Sequence, residues 1–142
     1  MRIYLDNCCY NRLFDEKTQE RVKRESDAIK AILIARQDII IGGNILRSEI
    51  DKIKDVGKKL SVISLYMQAV TETVAINEEV INRAKRIMEQ ANIKQMDALH
   101  LSCAISGNAD IFLTVDDKLI KACRGLELEM VVANPVCWES EL

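Results

Sequence analysis

Short apolar runs alternate with longer helical periods along the chain, and this alternation restricts the fold more than any other feature. The apolar runs are residues 2–5 (RIYL), 38–41 (DIII), 72–76 (ETVAI), 110–115 (DIFLTV) and 129–134 (EMVVAN). Gly42-Gly43 stops the second run and Pro135 closes the last. Strands separated by helices predict an α/β fold: one domain over residues 1–142, a three-layer sandwich with a central, mostly parallel sheet. In such a sheet a ligand site is expected at the carboxyl ends of the strands.

The intervening segments carry the helical period. Residues 17–36 place Val22, Ile29, Ile32 and Leu33 at helical spacing with charges between them, which reads as a surface helix. Asn44 is placed to cap a helix reaching about Val56, which Gly57 breaks, and a further helix covers about 58–69. From Glu78 to Gln90, Val80, Ile81, Ala84, Ile87 and Met88 form an inner face. "KQMDALHLSCAIS" (94–106) is helical and ends at Gly107-Asn108, and a short helix runs from Asp117 to about Cys123.

With 142 residues the chain can bury a sizeable core. Aromatic residues are only 4%, so that core is Ile, Leu, Val and Ala. Twenty basic and twenty-two acidic residues leave a formal charge of -2, which does not advertise nucleic-acid binding, although a local basic rim serves on a neutral protein. There are five Cys, with Cys8 and Cys9 adjacent, no C-x-x-C pair and one His, His100. That set lacks the spacing of a structural zinc site and fits reduced thiols in a cytoplasm, Cys103 and Cys123 buried among them. No apolar stretch resembles a signal peptide or approaches membrane-spanning length.

Four carboxylates interrupt this pattern. Asp6 ends the first strand, and Asp116 follows "DIFLTV", so both project from the carboxyl edge of the sheet. Glu49 shares a helix face with Ile45, Leu46 and Ile53, and Asp97 shares one with His100, Leu101 and Ala104. Taken singly, each has an ordinary explanation as a helix or turn cap, or as a residue at the edge of its stripe. Together they repel one another, and the stripes around them hold no Lys or Arg. A hard divalent cation, Mg²⁺ or Mn²⁺, resolves that repulsion with oxygen ligands. His100, on an apolar face, reads as a hydrogen-bonded core histidine.

"IYLDNCCYN", "ILRSEI", "KQMDALHLSCA" and "FLTVDDKLI" resemble the acidic motifs of the PIN-domain family, which includes VapC-like toxins. The resemblance implies a metal-dependent endoribonuclease with Asp6, Glu49, Asp97 and Asp116 as its acidic quartet. It implies an RNA substrate, an antitoxin protein as partner and a homodimer; the lack of a membrane-spanning run implies no membrane. Thr114 lies two residues before Asp116, and Asp117 is then expected to cap the next helix. Where relatives carry Thr or Ser and then Asn after the first acid, this chain has Asn7 and Cys8, and Asn7 is the residue expected to support the metal. Arg12, Lys94, Lys118, Lys121 and Arg124 are the basic residues available to contact RNA phosphates. Two other readings stand beside it: a non-catalytic PIN-like module that binds RNA or protein, and a receiver- or phosphatase-like phosphotransfer protein. "LDNC" lacks the second acid of the phosphatase D-x-D pattern, which counts against the latter.

Overall fold

Among the described residues, five short strands build one sheet: β1 (Arg2–Leu5), β2 (Ile39–Gly43), β3 (Glu72–Val74), β4 (Ile111–Leu113) and β5 (Val131–Ala133). Their order is β3-β2-β1-β4-β5, and every neighbouring pair is parallel. The computed structural model describes residues 1–35 and 37–139. Ile3, Tyr4 and Leu5 on β1 and Phe112 and Leu113 on β4 are all 0% exposed. Strands buried on both faces require helices on both faces, hence the three-layer α/β sandwich.

Parallel neighbours need helical crossovers. From β1 the chain passes through α1 (Asn7–Arg12) and α2 (Glu20–Ala35) to β2, then through α3 (Asn44–Asp51) and α4 (Val56–Ala69) to the edge strand β3. It next crosses by α5 (Glu78–Gln90) and α6 (Gln95–Ser106) to the other side of β1, where α7 (Asp117–Cys123) links β4 to β5 and α8 (Pro135–Glu139) follows. The winding therefore reverses between β1 and β4. Their loops leave in different directions and open a crevice at the carboxyl edge. Tyr4 pairs in register with Phe112 across this junction, their rings stacked 5.2 Å apart.

Several boundaries differ from those read in the sequence. Gly42-Gly43 does not stop β2 but continues it, paired with Thr73 and Val74. The glycines are there for close approach: a Cβ on Gly43 would run into the Val74 carbonyl, and one on Gly42 would lie 2.6 Å from the Tyr66 hydroxyl. Gly43 also donates its backbone N–H to that hydroxyl at 2.9 Å. Asn44 is the first residue of α3 rather than its cap. That helix stops at Asp51, because Asp55 starts α4 by accepting from the Lys58 amide, so Gly57 lies inside a helix instead of breaking one. The strands β3, β4 and β5 are shorter than their apolar runs, and α1 and α8 lie in segments to which the sequence pattern assigns no element. On α5, Ile81 and Met88 are 40% and 41% exposed; only Val80, Ala84 and Ile87 are buried. The expected end of the second helix at Arg36 lies outside the described residues.

The reading of α2 as surface is corrected by Glu25, which is 1% exposed. Arg12 and Arg21 each place a guanidinium nitrogen 3.2 Å from its carboxylate, and Asn134 donates to it at 2.6 Å. A charged position in a mixed-charge helix reads as solvated; Arg21 is a neighbour on the same helix, but Arg12 comes from α1 and Asn134 from the segment before α8, which only folding assembles.

Gly43→Ala should cost about 1–3 kcal/mol through forced displacement of β3. Gly57→Ala, where the added methyl meets only a side-chain oxygen at 3.5 Å, should be neutral or slightly stabilising. Urea denaturation of the two variants beside the parent measures both.

Candidate active site

Asp6 sits where β1 becomes α1. Its amide donates to the Leu113 carbonyl at 2.9 Å, carrying the β1–β4 ladder one residue past the strand. Its side chain then caps α1, Oδ1 accepting from the Asn7 amide at 2.8 Å. The other oxygen, Oδ2, accepts from the Thr114 hydroxyl at 2.8 Å and lies 3.3 Å from Cys8 Sγ. Thr114 Oγ1 in turn accepts from the Asp116 amide at 3.1 Å. One buried threonine thus ties together the two strand ends that carry the acids.

Asp116, not Asp117, is the cap of α7: its backbone is extended, and its Oδ1 accepts from the Lys118 and Leu119 amides at 3.0 and 3.2 Å. A capping residue precedes the first helical residue. Asp117 already belongs to the helix and forms a two-point ion pair with Arg21. Glu49 is on α3 and Asp97 in the first turn of α6, both half-buried.

All four acids line one open cavity of about 310 Å³, together with Asn7, Cys8, Asn11, Arg12, Asp15 and Val115. Among the described residues no Lys or Arg forms an ion pair with Asp6, Glu49, Asp97 or Asp116. Two of them, Glu49 and Asp97, are displaced in acidity. Burial, then the charges of Asp6 and Asp97, push the Glu49 carboxyl up to about 7. Burial, then Asp6 and Asp116, raise Asp97, and Lys94 opposes this. His100 is 1% exposed, and burial holds it below the ordinary imidazole range. Its Nδ1 lies 2.7 Å from the Tyr4 hydroxyl and its Nε2 is hydrogen-bonded to Glu49 Oε1.

The donor set fits a hard cation. A carboxylate oxygen of Asp6, one of Glu49 and a ring nitrogen of His100 lie within 4.8 Å of one another. Asn7 adds a buried amide oxygen, Oδ1, with no hydrogen-bond partner among the described residues. An orphaned buried oxygen on a residue that lines the same cavity as four carboxylates is what a divalent ion with oxygen ligands satisfies.

The basic residues are placed unevenly. Arg12 lines the cavity, but its guanidinium is engaged by Asp15 and Glu25. Lys94, Lys118, Lys121 and Arg124 are exposed and outside the cavity lining; Lys121 and Arg124 border a separate cleft between α7 and β5. Tyr4 and Cys8 received no role from the sequence. Cys8 had one local signal, its position two residues beyond a strand-end acid. Tyr4 had none, because its partner lies 96 positions away.

The PIN-domain family profile matches residues 3–125. The chain belongs to the PIN-domain family. Among solved structures, this PIN domain resembles VapC20 of Mycobacterium tuberculosis, a Sarcin-Ricin loop cleaving toxin. The TM-score is 0.64 at 10% identity, over 91% of this chain and 98% of that one. A toxin–antitoxin complex from Klebsiella pneumoniae contains a similar chain, with TM-score 0.62 at 16% identity and the same coverage of both. No curated protein is significantly similar in sequence.

A pH dependence follows from Glu49. Its folded-state pKa lies above the value of 4.5 expected when unfolded, so between 4.5 and about 7 the folded PIN domain holds a proton the unfolded chain lacks. That contribution to metal-free stability is present at low pH and is lost as pH rises through about 7. Glu49→Gln removes it. In the presence of chelator, the melting temperature of Glu49→Gln relative to the parent should rise between pH 5 and pH 8; a constant difference would contradict the shift.

Proposed function

We propose that this PIN domain is a metal-dependent endoribonuclease, the toxin of a toxin–antitoxin pair, with residues 1–142 acting as one unit. The observation that carries the reading is the gathering of Asp6, Glu49, Asp97 and Asp116 on one cavity, with no Lys or Arg among the described residues in an ion pair with any of them. The names of the similar structures, a Sarcin-Ricin loop cleaving toxin and a toxin–antitoxin complex, support the substrate class and the kind of partner.

In this reading the four carboxylates hold Mg²⁺ or Mn²⁺, with the Asn7 amide oxygen as a further donor. When bound, the cation supplies positive charge for the scissile phosphate and acidifies a water to a usable nucleophile near neutral pH. Thr114 keeps Asp6 aimed into the cavity by holding Oδ2 from the side. Asp116 spends Oδ1 on its helix cap, and its Oδ2 takes no hydrogen bond among the described residues. Lys94, Lys118, Lys121 and Arg124, exposed near the acidic edge or along α7, contact the RNA backbone, and Arg12 holds the cavity wall. An antitoxin protein blocks the site, the active form is a homodimer, and the protein works in the cytoplasm. Among the described residues no helix is long and apolar enough to cross a membrane.

Purified protein incubated with RNA and Mn²⁺, with and without chelator, tests this directly. Cleavage that chelator abolishes supports it; RNA or protein binding without cleavage makes the domain a non-catalytic module. Asp97→Asn sharpens the test. The change deletes one charge from a repelling cluster, at a helix start where a carboxylate contributes about 0.3–1 kcal/mol. The metal-free variant should melt no earlier than the parent. Its Mn²⁺ affinity should fall by more than the roughly 10–100-fold that loss of an outer ligand contact costs, and cleavage should fall with it. Earlier melting without metal, combined with normal cleavage, removes Asp97 from the site.

A further inference from the structure

We infer that His100, itself oriented by Tyr4, is a positioning residue that holds the Glu49 carboxylate in place at the acidic cavity. The inference rests on the reading of Glu49 as a metal ligand and goes beyond it, since neither Tyr4 nor His100 belongs to the acidic quartet.

Three of the acids can be compared by what anchors them. Asp6 is held by the Asn7 amide and Thr114, and Asp116 by two helix amides. Glu49 reaches the cavity on a longer side chain, and its hydrogen bond is to His100 Nε2. The anchor behind it is rigid. His100 is fully packed on α6, and Tyr4 is 0% exposed in the central strand, its ring stacked on Phe112.

The direction of the relay follows from proton counting. A neutral imidazole carries one N–H, so one ring nitrogen donates and the other accepts. A phenol carries its proton at neutral pH, and the buried Tyr4 hydroxyl has Nδ1 as its hydrogen-bond partner, 2.7 Å away. Tyr4 O–H therefore donates to Nδ1. That places the imidazole proton on Nε2, where it donates to Glu49 Oε1. Oε2 takes no hydrogen bond among the described residues and is left for the cavity. In this tautomer Nε2 has no lone pair to offer a cation, so His100 acts through Glu49 and is not itself a ligand.

Because the chain has one histidine, its imidazole can be observed without assignment. Long-range proton–nitrogen NMR of the metal-free protein should show the proton on Nε2; a proton on Nδ1 overturns the relay. Mn²⁺ titrations then compare the parent with His100→Ala, His100→Gln and Tyr4→Phe. His100→Ala should weaken Mn²⁺ binding about 10–100-fold. Gln, whose amide can donate from near the Nε2 position, should retain most of the affinity. Tyr4→Phe, which keeps the stacked ring and so remains informative if His100→Ala fails to fold, should weaken binding and mix the tautomers. In a Glu49→Gln background, either His100 change should alter affinity by no more than about twofold, because the group it acts through is gone.

Equal losses in both backgrounds, or nitrogen hyperfine coupling showing Nε2 bound to Mn²⁺, overturn the proposal. A parent that binds Mn²⁺ and cleaves RNA while His100→Ala does the same defeats the positioning role alone. A parent that binds no Mn²⁺ defeats the metal reading, and this inference with it.

Discussion

Like charge gathered at one sheet edge is the constraint on which the rest of this structure depends. Ligand atoms of Asp6 and Glu49 lie within 4.8 Å of each other. Two full charges at that distance repel by about 3 kcal/mol at an effective dielectric near 20. No guanidinium or ammonium among the described residues relieves this by an ion pair. Burial first, and this repulsion second, make the carboxyls of the metal-free protein harder to ionise: Glu49 is pushed up to about 7, and Asp97 is raised as well. A site that binds protons for this reason is also one that a cation can occupy, which is why the electrostatics and the proposed chemistry point the same way.

The scaffold is built to tolerate that cost. The four acids arrive from four different elements, but the two at strand ends are linked by one buried hydroxyl, Thr114, and by the ladder bond from Asp6 to Leu113. Both also serve as helix caps, so each carboxylate offsets orphaned amides while it faces the cavity. Beneath them, Ile3, Leu5, Ile111 and Leu113 are almost wholly removed from water, each burial contributing about 1.5–3 kcal/mol. Farther from the cavity, Glu25 presents the opposite solution for a buried acid: two arginines and an amide surround it. One carboxylate is neutralised by the protein's own cations and the other cluster is left without them.

Much of the fold was legible in the chain because it depends on local pattern. Strand-length apolar runs separated by helical periods specify a parallel α/β sheet, and strand-end acids specify the edge where a site lies. What escaped was either very short or governed by closeness in space. The helix α1 is one and a half turns within a polar-looking "NCCYNR" motif. Gly42-Gly43 reads as a break, yet it is the pair of residues that allows β3 and Tyr66 to approach β2. Asp116 and Asp117 are neighbours with similar side chains, and only backbone geometry separates the cap from the ion-pair partner of Arg21.

By itself the sequence determined the alternation of elements, the residue types available at the sheet edge and the absence of apolar-stripe cations near the four acids. All of these follow from neighbours a few positions apart, whose periodicity and chemistry need no tertiary information. Only the tertiary structure decided the winding reversal that makes β1 and β4 adjacent, and with it the meeting of Asp6 with Asp116. It alone brought Tyr4 to His100 and His100 to Glu49, across separations of 96 and 51 residues. The physical reason is that hydrogen bonds and charge repulsion act over a few ångströms in space, and chain order constrains such distances only within a helix turn or a strand pair.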